Sequence, residues 1–320
     1  MVHAPRSGAL LRTLGQTVCV AFPEDPGVLS VMRTFAVTAD DLLGHGGEAW
    51  VFALGDDRVV RILQPGGRVD DIVRRQGLVA ELSRARPLFA LPEVLEVGEM
   101  ADRVFAVERR LPGRSVLHEL ASSSGPARKH LVETHLDAAA ALGDLSLAPR
   151  QTFGDLIVDG AITTSTWRAY LAERAAANLA RSTSDFWSID PGALADGLPE
   201  ATGPSFVHLD AFAGNMLTDG ARITAVIDIG STSLAGDRRL DPLSAAVYLL
   251  SPEITPMVSP SDIDVTMSWL RAAGLREWFE PASRWLAAFW SVAVDEVTLH
   301  RWCRRVLLDH GRPSGRPTQA

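Results

Sequence analysis

The sequence predicts an α+β protein of two lobes, a small antiparallel β-sheet lobe with one helix followed by a larger, mainly helical lobe. Short β-rich runs separated by turns fill residues 32–110, a pattern typical of antiparallel strands. Ala-rich runs with helical spacing fill much of residues 111–310. The loop LPGRS at 111–115 separates the two patterns, and 320 residues exceed the usual size of one domain. We therefore expect a lobe boundary between residues 110 and 111.

The composition excludes several classes of protein. Apolar residues make up 47% of the chain and charged residues 22%, which is typical of a folded protein with a sizeable core. The net charge of −8 argues against a general nucleic-acid binder, and no apolar run is long enough to span a membrane. Arg12, Gly15 and Gln16 interrupt the opening residues, so no signal peptide is expected. Two distant cysteines fit a reducing compartment, and we expect a cytoplasmic protein without membrane or nucleic-acid partners.

The elements of the small lobe follow from its turns and periods. Residues 1–31 show no sustained period and are expected to form a loose arm before the lobe at 32–110. The expected strands are 40–54, 59–63, 93–99 and 103–110, and the one expected helix is 68–86.

The large lobe at 111–310 is expected to be mainly helical. The expected elements are helices at 127–147 and 163–182, a strand-loop-strand block at 205–229, and further helices to about residue 308. The Gly- and Pro-containing tail at 311–320 is expected to be disordered.

The densest chemical signal lies at residues 206–228. Two apolar strand residues lead to His208 and Asp210, Asn215 follows, and the next apolar strand ends in Asp228. Carboxylate, carboxamide and carboxylate at neighbouring strand ends can converge on one point. A few oxygen ligands, completed by phosphate and water, suit Mg²⁺. We expect Asp210 to face an acceptor hydroxyl while Asn215 and Asp228 hold the metal, a division of roles typical of phosphoryl transfer.

The order HxDxxxxN, followed by IDxG and a GD element, resembles the aminoglycoside phosphotransferase family. LTDG, ITAVID and PEVLEVGE are especially similar to the hygromycin B phosphotransferases, and the resemblance covers about residues 40–250. It implies a bilobal protein-kinase-like fold, ATP or GTP as co-substrate, Mg²⁺ as cofactor, and a cationic, sugar-like small-molecule acceptor. It also implies that Asp210 is catalytic and that Asn215 and Asp228 bind the metal.

The glycines of the small lobe give a weaker signal for nucleotide binding. Gly44, Gly46 and Gly47 lie between two strand-like runs, where bare backbone can approach phosphate groups. Such a hairpin alone is more often only a turn, and its position before VVRIL favours a phosphate-covering loop. The family usually has a lysine in the third strand, whereas Lys129, the single lysine here, lies in a helical stretch. Arg61 occupies the matching position, so the resemblance implies that its guanidinium contacts the α- and β-phosphates.

Three more residues are implied by the resemblance. A helix glutamate orients the strand cation in the family, and Glu81 is our candidate for it. Asp70 and Asp71 are alternatives, and each of these acids could equally be a solvated helix residue. Glu108 and Arg110, at the end of the last expected strand, match the hinge whose backbone meets the nucleotide base.

Three residues near the motif favour structural roles. His208 is expected to brace the loop that carries Asp210. Asp241, which precedes a proline, is expected to cap a helix. Leu209 stands where the family commonly has glycine, and it adds bulk beside the loop.

The sequence alone leaves three functions open. The first is a nucleotide-dependent kinase that phosphorylates an aminoglycoside-type antibiotic such as hygromycin B and confers resistance. Residues 111–310 hold 24 acidic and 16 basic residues, an excess that suits a polycationic acceptor. The second is a kinase of another acceptor, a sugar, amino alcohol or biosynthetic intermediate, and the third is an inactive nucleotide-binding module. The presence of Asp210, Asn215 and Asp228 together favours a kinase.

Overall fold

The small lobe is built on antiparallel strands. The computed structural model describes residues 10–13, 16–19, 25–145 and 147–309. Two strands, β1 (Leu10–Thr13) and β2 (Gln16–Cys19), precede the lobe in the chain. The strands of the lobe are β3 (Leu42–His45), β4 (Ala49–Leu54), β5 (Arg58–Leu63), β6 (Val94–Met100) and β7 (Arg103–Arg109), and its described α-helices are α1 (Pro26–Phe35) and α2 (Val69–Leu82). β1 and β2 form a separate hairpin, and the other five strands form one sheet in the order β3-β4-β5-β7-β6.

Helix α1 covers one face of this sheet. Asp25 caps it by accepting a hydrogen bond from the amide of Val28 at 2.9 Å, and a proline follows at the first helical position. Val28, Val31 and Met32 are buried in one cluster with Phe52 and other sheet residues. The helix therefore continues past residue 31, the position at which the sequence analysis expects a loose arm to end. The described part of the small lobe therefore has two α-helices instead of the one expected.

Helix α2 covers the other face and connects the two lobes. Ile72 packs on Val104 and Ala106 of β7. Further along the helix, Leu78 and Leu82 belong to the main core of the large lobe. Because one helix takes part in both cores, the position of α2 depends on both lobes.

The large lobe is mainly helical, as predicted. Its strands are β8 (Arg114–Ser115), β9 (Phe153–Asp155), β10 (Thr163–Thr164), β11 (Ser205–Val207), β12 (Met216–Thr218), β13 (Ile223–Val226) and β14 (Leu234–Gly236), and its helices are α3 (Val116–Ser122), α4 (Gly125–Leu142), α5 (Trp167–Arg181), α6 (Pro191–Asp196), α7 (Leu240–Leu249), α8 (Pro260–Ala272), α9 (Phe279–Trp290) and α10 (Val297–Leu308). The strands form the sheets β10-β9-β14-β11 and β13-β12-β8. Every residue of α7 is buried, and α7 packs against α4, α8 and α9. The α+β architecture of two lobes is confirmed.

The segment between the lobes is fixed to the β12–β13 hairpin. Thr224 donates a hydrogen bond to the carbonyl of Pro112 at 2.6 Å. Gly113 has a φ of 107°, and a β-carbon there would lie 2.7 Å from the carbonyl oxygen of Thr218, so this position requires glycine. A second contact joins the amide of Ala90 to the carbonyl of Thr224 at 2.8 Å. These contacts set the position of the cleft between the lobes.

Two expectations concern the ends and the environment of the chain. None of the helices in the described ranges combines the length and apolar composition needed to cross a membrane. The tail expected to be disordered, 311–320, lies outside the described residues.

Candidate active site

The loop after β11 is held by helix α7. The carboxylate of Asp241 accepts hydrogen bonds from the amides of His208 at 2.9 Å and Leu209 at 2.8 Å. Ser244 donates to the carbonyl of Leu209 at 2.7 Å. Leu209 has a φ of 65°, a left-handed conformation that costs a non-glycine residue about 1–2 kcal/mol. These contacts explain how leucine is tolerated where the family commonly has glycine.

The expected cap at Asp241 is wrong in its detail. Helix α7 begins at Leu240, after Arg239, and the Asp241 carboxylate faces the loop instead of the amides of its own helix. His208 does brace this loop, since its Nε2 donates to the carbonyl of Ile227 at 3.0 Å. Burial raises the pKa of Asp241 to about 6, against the lowering by His208 and by the two loop amides.

Both carboxylate oxygens of Asp210 accept hydrogen bonds. Tyr248 donates to Oδ1 at 2.8 Å, and Asn215 donates from Nδ2 to Oδ2 at 2.9 Å. Burial raises the pKa of Asp210, His208 and these two donors lower it, and the nearby charge of Asp228 raises it. The carboxylate is therefore oriented from two sides, and its nearest neighbours include a second carboxylate.

Asp228 follows β13 and faces the small lobe. The amide of Ile227 donates to the carbonyl of Asn215 at 2.9 Å, which places Asp228 beside the loop of Asp210. Arg61 of β5 donates to Oδ1 of Asp228 at 2.7 Å. Burial alone would raise the pKa of Asp228, and the charge and hydrogen bond of Arg61 outweigh it, so that the pKa is lowered. The structure thus brings Asp210, Asn215, Asp228 and Arg61 together.

Arg61 belongs to a row of alternating charges. Its side chain is only 12% exposed, and Glu48 lies 3.9 Å from its guanidinium. Glu108 also contributes to raising the pKa of Arg61 and is in turn paired with Arg75 of α2 at 2.7 Å. The side chains of Glu108 and Arg75 are each 10% exposed, and the pKa of Arg75 is lowered by burial and by Arg61. Two guanidinium groups therefore share this side of the cleft.

The three glycines lie at the open end of the small lobe. Gly44 is in β3, and Gly46 and Gly47 form its turn into β4. A β-carbon at any of them would meet no atom within 4 Å, so the backbone here leaves space for a bound group. Glu48, which follows them, accepts a hydrogen bond from Ser231 of the large lobe at 3.1 Å.

Glu81 does not orient Arg61. Its carboxylate accepts hydrogen bonds from Arg150 at 3.2 Å and from the amide of Ala148, both in the large lobe. Glu81 lies near the end of α2 on a different side of the helix from Arg75. The acids near the Arg61 guanidinium are instead Asp228, Glu48 and Glu108.

The two hinge residues have contacts within the small lobe, and the expected contact of their backbone with a nucleotide base stays a prediction. The side chain of Glu108 is committed to Arg75. The amide of Arg110 donates to the carbonyl of Asp57 at 2.8 Å, in the turn between β4 and β5. The Arg110 amide is therefore engaged by the small lobe itself.

Sequence reasoning missed Arg75 and Tyr248. Arg75 could have been found, because it falls in the buried stripe of α2 with Ile72, Leu78 and Leu82, where an arginine needs a buried counter-ion. Tyr248 stands seven positions after Asp241, on the same side of α7, but the helix is so apolar that its sequence does not separate a site residue from a core residue.

Two oxygen atoms of this site lack a donor. No described residue donates to Oδ1 of Asn215 or to Oδ2 of Asp228. The described ranges contain no cluster of three or more His, Cys, Asp or Glu side chains that could hold a metal. A cation bound at these two oxygen atoms would have two protein ligands, and Mg²⁺ beside phosphate groups typically has few. The arrangement can hold a hydroxyl at a carboxylate, and anionic groups near two arginines.

Comparison with known proteins identifies relatives. A model of the phosphotransferase enzyme family matches residues 42–258, more than half of the chain. The hygromycin-B 4-O-kinase of Escherichia coli is 31% identical over 162 residues, which are 47% of this chain and 46% of that protein. The match thus spans less than half the length of this curated relative.

Solved structures share the fold over nearly the whole chain. The gentamicin complex of APH(2")-IIa has a TM-score of 0.57 and 16% identity, and it covers 90% of this chain and 97% of its own. ADP-bound aminoglycoside phosphotransferase APH(2'')-Ib has a TM-score of 0.56 and 13% identity, with 89% and 97% covered. At such identities the likeness shows the fold alone, and it confirms the bilobal architecture expected from the sequence.

Proposed function

Because the chain belongs to the phosphotransferase enzyme family, we propose that it is a small-molecule kinase that phosphorylates a hydroxyl of an aminoglycoside-type antibiotic, with ATP or GTP as donor, and confers resistance. The observation that carries this proposal is the meeting of Asp210, Asn215 and Asp228 opposite Arg61 in one cleft. Hygromycin B is the first candidate acceptor, since the relative of 31% identity is named for its phosphorylation.

The charge of the large lobe supports a cationic acceptor. Residues 111–310 carry an excess of eight acids over bases, 24 against 16. Such an excess attracts an aminoglycoside with several ammonium groups and raises its rate of encounter. The gentamicin complex of a protein with this fold is consistent with an acceptor of this class.

The residues of the chain divide the chemistry between the lobes. Asp210 orients the acceptor hydroxyl and takes its proton as the acceptor oxygen bonds to the γ-phosphorus. The bond from that phosphorus to the bridging oxygen breaks, and the nucleoside diphosphate leaves. Arg61 neutralises phosphate charge through its guanidinium, which lies 2.7 Å from Asp228.

Asn215 and Asp228 fit the metal that the resemblance implies. Each offers an oxygen without a hydrogen-bond donor among the described residues, and the Asp228 side chain is 37% exposed. Mg²⁺ held there would neutralise charge on the β- and γ-phosphates. Replacing Asp228 by alanine should remove the magnesium dependence of nucleotide binding, measured by titration calorimetry. If nucleotide binding by Asp228→Ala depended on magnesium as in the wild-type chain, other residues would have to bind the metal.

A coupled nucleotide-consumption assay tests the function. The acceptors are hygromycin B, other aminoglycosides, sugars and amino alcohols, each with ATP and with GTP. We expect consumption that depends on an aminoglycoside and is lost in Asp210→Ala. Nucleotide consumption with only a sugar or an amino alcohol would show that the acceptor is a metabolite and not an antibiotic. Nucleotide binding without consumption with any of these acceptors would favour the inactive nucleotide-binding module.

A further inference from the structure

Helix α7 contacts three successive residues of the loop that carries Asp210. Asp241 accepts from the amides of residues 208 and 209, Ser244 donates to the carbonyl of residue 209, and Tyr248 donates to the side chain of Asp210. Asp241, Ser244 and Tyr248 stand at i, i+3 and i+7, so they share one side of the helix. One buried helix thus fixes both the backbone of the loop and the carboxylate at its end.

The phenol of Tyr248 is well placed to hold a carboxylate. Tyr248 is 5% exposed, and its ring packs edge-on against the ring of Phe212, with the ring centroids 5.3 Å apart. Burial and the charge of Asp210 raise the pKa of Tyr248, so its hydroxyl stays protonated and acts toward Asp210 as a hydrogen-bond donor. Asn215 donates to the other oxygen. With both oxygens held, the carboxylate group cannot rotate freely about its own bond.

We propose that Tyr248 is a positioning residue for phosphoryl transfer: by donating to Oδ1 of Asp210, it keeps the remaining carboxylate lone pairs directed for the acceptor hydroxyl. This inference rests on the proposed function. It requires that Tyr248 act on turnover through Asp210 and leave nucleotide binding unchanged. Misplacing a reacting group by about 1 Å lowers rates by about 100-fold, which sets the scale of the effect.

The chain supplies a matched control for this proposal. It has only two tyrosines, and the second, Tyr170, is also buried and also donates to an aspartate, Asp155, at 2.8 Å. Asp155 lies in β9 and is also bound by Arg174, and β14 separates β9 from β11, the strand that leads to the loop of Asp210. Removing either hydroxyl therefore breaks the same kind of hydrogen bond, and only one of them involves the proposed base.

The experiment compares Tyr248→Phe with Tyr170→Phe in the full chain. Both variants keep the aromatic ring, and melting temperatures should fall by similar amounts. We expect kcat of Tyr248→Phe to fall about 10- to 100-fold with nucleotide KM unchanged. Tyr170→Phe should keep the wild-type kcat. A kcat of Tyr248→Phe within about twofold of wild type, or an equal fall in both variants, would overturn the positioning role.

A double variant separates this proposal from the proposed function. If Tyr248 acts through Asp210, Asp210→Ala with Tyr248→Phe should show the residual turnover of Asp210→Ala alone, measured by transfer of labelled phosphate. A further fall that multiplies the two single effects would show independent action and overturn the proposal. Absence of acceptor-dependent turnover in the wild-type chain would instead overturn the proposed function, and this proposal with it.

Discussion

The two halves of the site are built by different physical means. In the large lobe, neutral donors hold Asp210 from both sides, and hydrogen bonds of this kind fix direction. On the small-lobe side, Arg61 lies in a row of alternating charges with Glu108 and, across the cleft, Asp228, and ion pairs of this kind set charge balance. Substitutions in the two halves should therefore affect different properties of the protein. A change in the first should lower turnover, whereas a change in the second should lower nucleotide binding or fold stability.

The largest effect is expected at Asp210. Replacing it by alanine should lower turnover by about 10²–10⁴-fold, the usual contribution of a positioned acid or base, and leave nucleotide affinity nearly unchanged. Steady-state kinetics and calorimetric nucleotide titration measure the two quantities. Asp219→Ala is the control, because Asp219 belongs to the same sequence motif but lies exposed in the turn between β12 and β13. A parallel loss of nucleotide affinity in Asp210→Ala would contradict the division between the halves.

The buried pair of Arg75 and Glu108 gives the next effect. Glu108→Leu leaves the Arg75 guanidinium buried beside Arg61 without its partner, so the free energy of unfolding should fall by about 3–5 kcal/mol. Adding Arg75→Met removes the unpaired charge and should restore most of that loss. Urea unfolding of the single and double variants measures both. Additive losses would mean that the two side chains are not energetically coupled.

A buried histidine outside both halves of the site provides a third case for comparison. It has neither a hydrogen-bond partner nor an ion-pair partner among the described residues. His135 in α4 is fully buried, and neither ring nitrogen has a hydrogen-bond partner among the described residues. Burial lowers its pKa to about 4, from an ordinary value of 6.5. Below pH 6.5 the unfolded chain therefore binds a proton at His135 that the folded chain does not bind. The free energy of unfolding falls as the pH decreases from 6.5 toward 4, by up to about 3 kcal/mol.

The variant His135→Leu should remove that part of the pH dependence. Unfolding in urea at several pH values between 7 and 4 should show a flatter profile for His135→Leu than for the wild-type chain. The same substitution at His118, which is exposed, should leave the profile unchanged. A profile of His135→Leu that parallels the wild type would assign the acid sensitivity to other groups.

The smallest effect is expected at the exposed ion pairs between the lobes. Asp159 of the large lobe pairs with Arg68 and Arg74 near the start of α2. Because these side chains are largely exposed, Asp159→Asn should lower the melting temperature by less than about 2 °C, and the difference should vanish at high salt. Thermal melts at low and high ionic strength measure it. A large shift that persists at high salt would show that this contact contributes as strongly as the buried pair.

The sequence predicts the large-lobe half of the site because that half is local. Asp210 and Asn215 lie in one loop, and Asp228 ends the strand paired with the strand that follows this loop. Strand pairing alone brings such residues together. The alternation of short strands, one helix and long helical runs likewise predicts the two lobes, although α1 escaped notice inside a segment without a sustained period.

The small-lobe half depends on contacts between elements that are distant in sequence. Glu81 and Arg75 are both polar residues of α2, and helix phase alone decides which of them meets the sheet. Arg75 meets Glu108, whereas Glu81 turns to Arg150 of the other lobe. An ion pair has no sequence signature beyond the presence of opposite charges, so partner choice here could not be predicted.

Arginine in place of lysine on β5 also has a practical consequence for labelling. Guanidinium groups stay protonated and resist the acylating reagents that modify amines. The single lysine, Lys129, lies exposed on α4 with Glu133 3.7 Å away. An amine-reactive fluorophore should therefore attach at Lys129 and the chain's amino terminus, leaving the arginines of the cleft chemically intact. A reporter dye should thus attach without modifying Arg61, the cation that contacts Asp228 in the cleft.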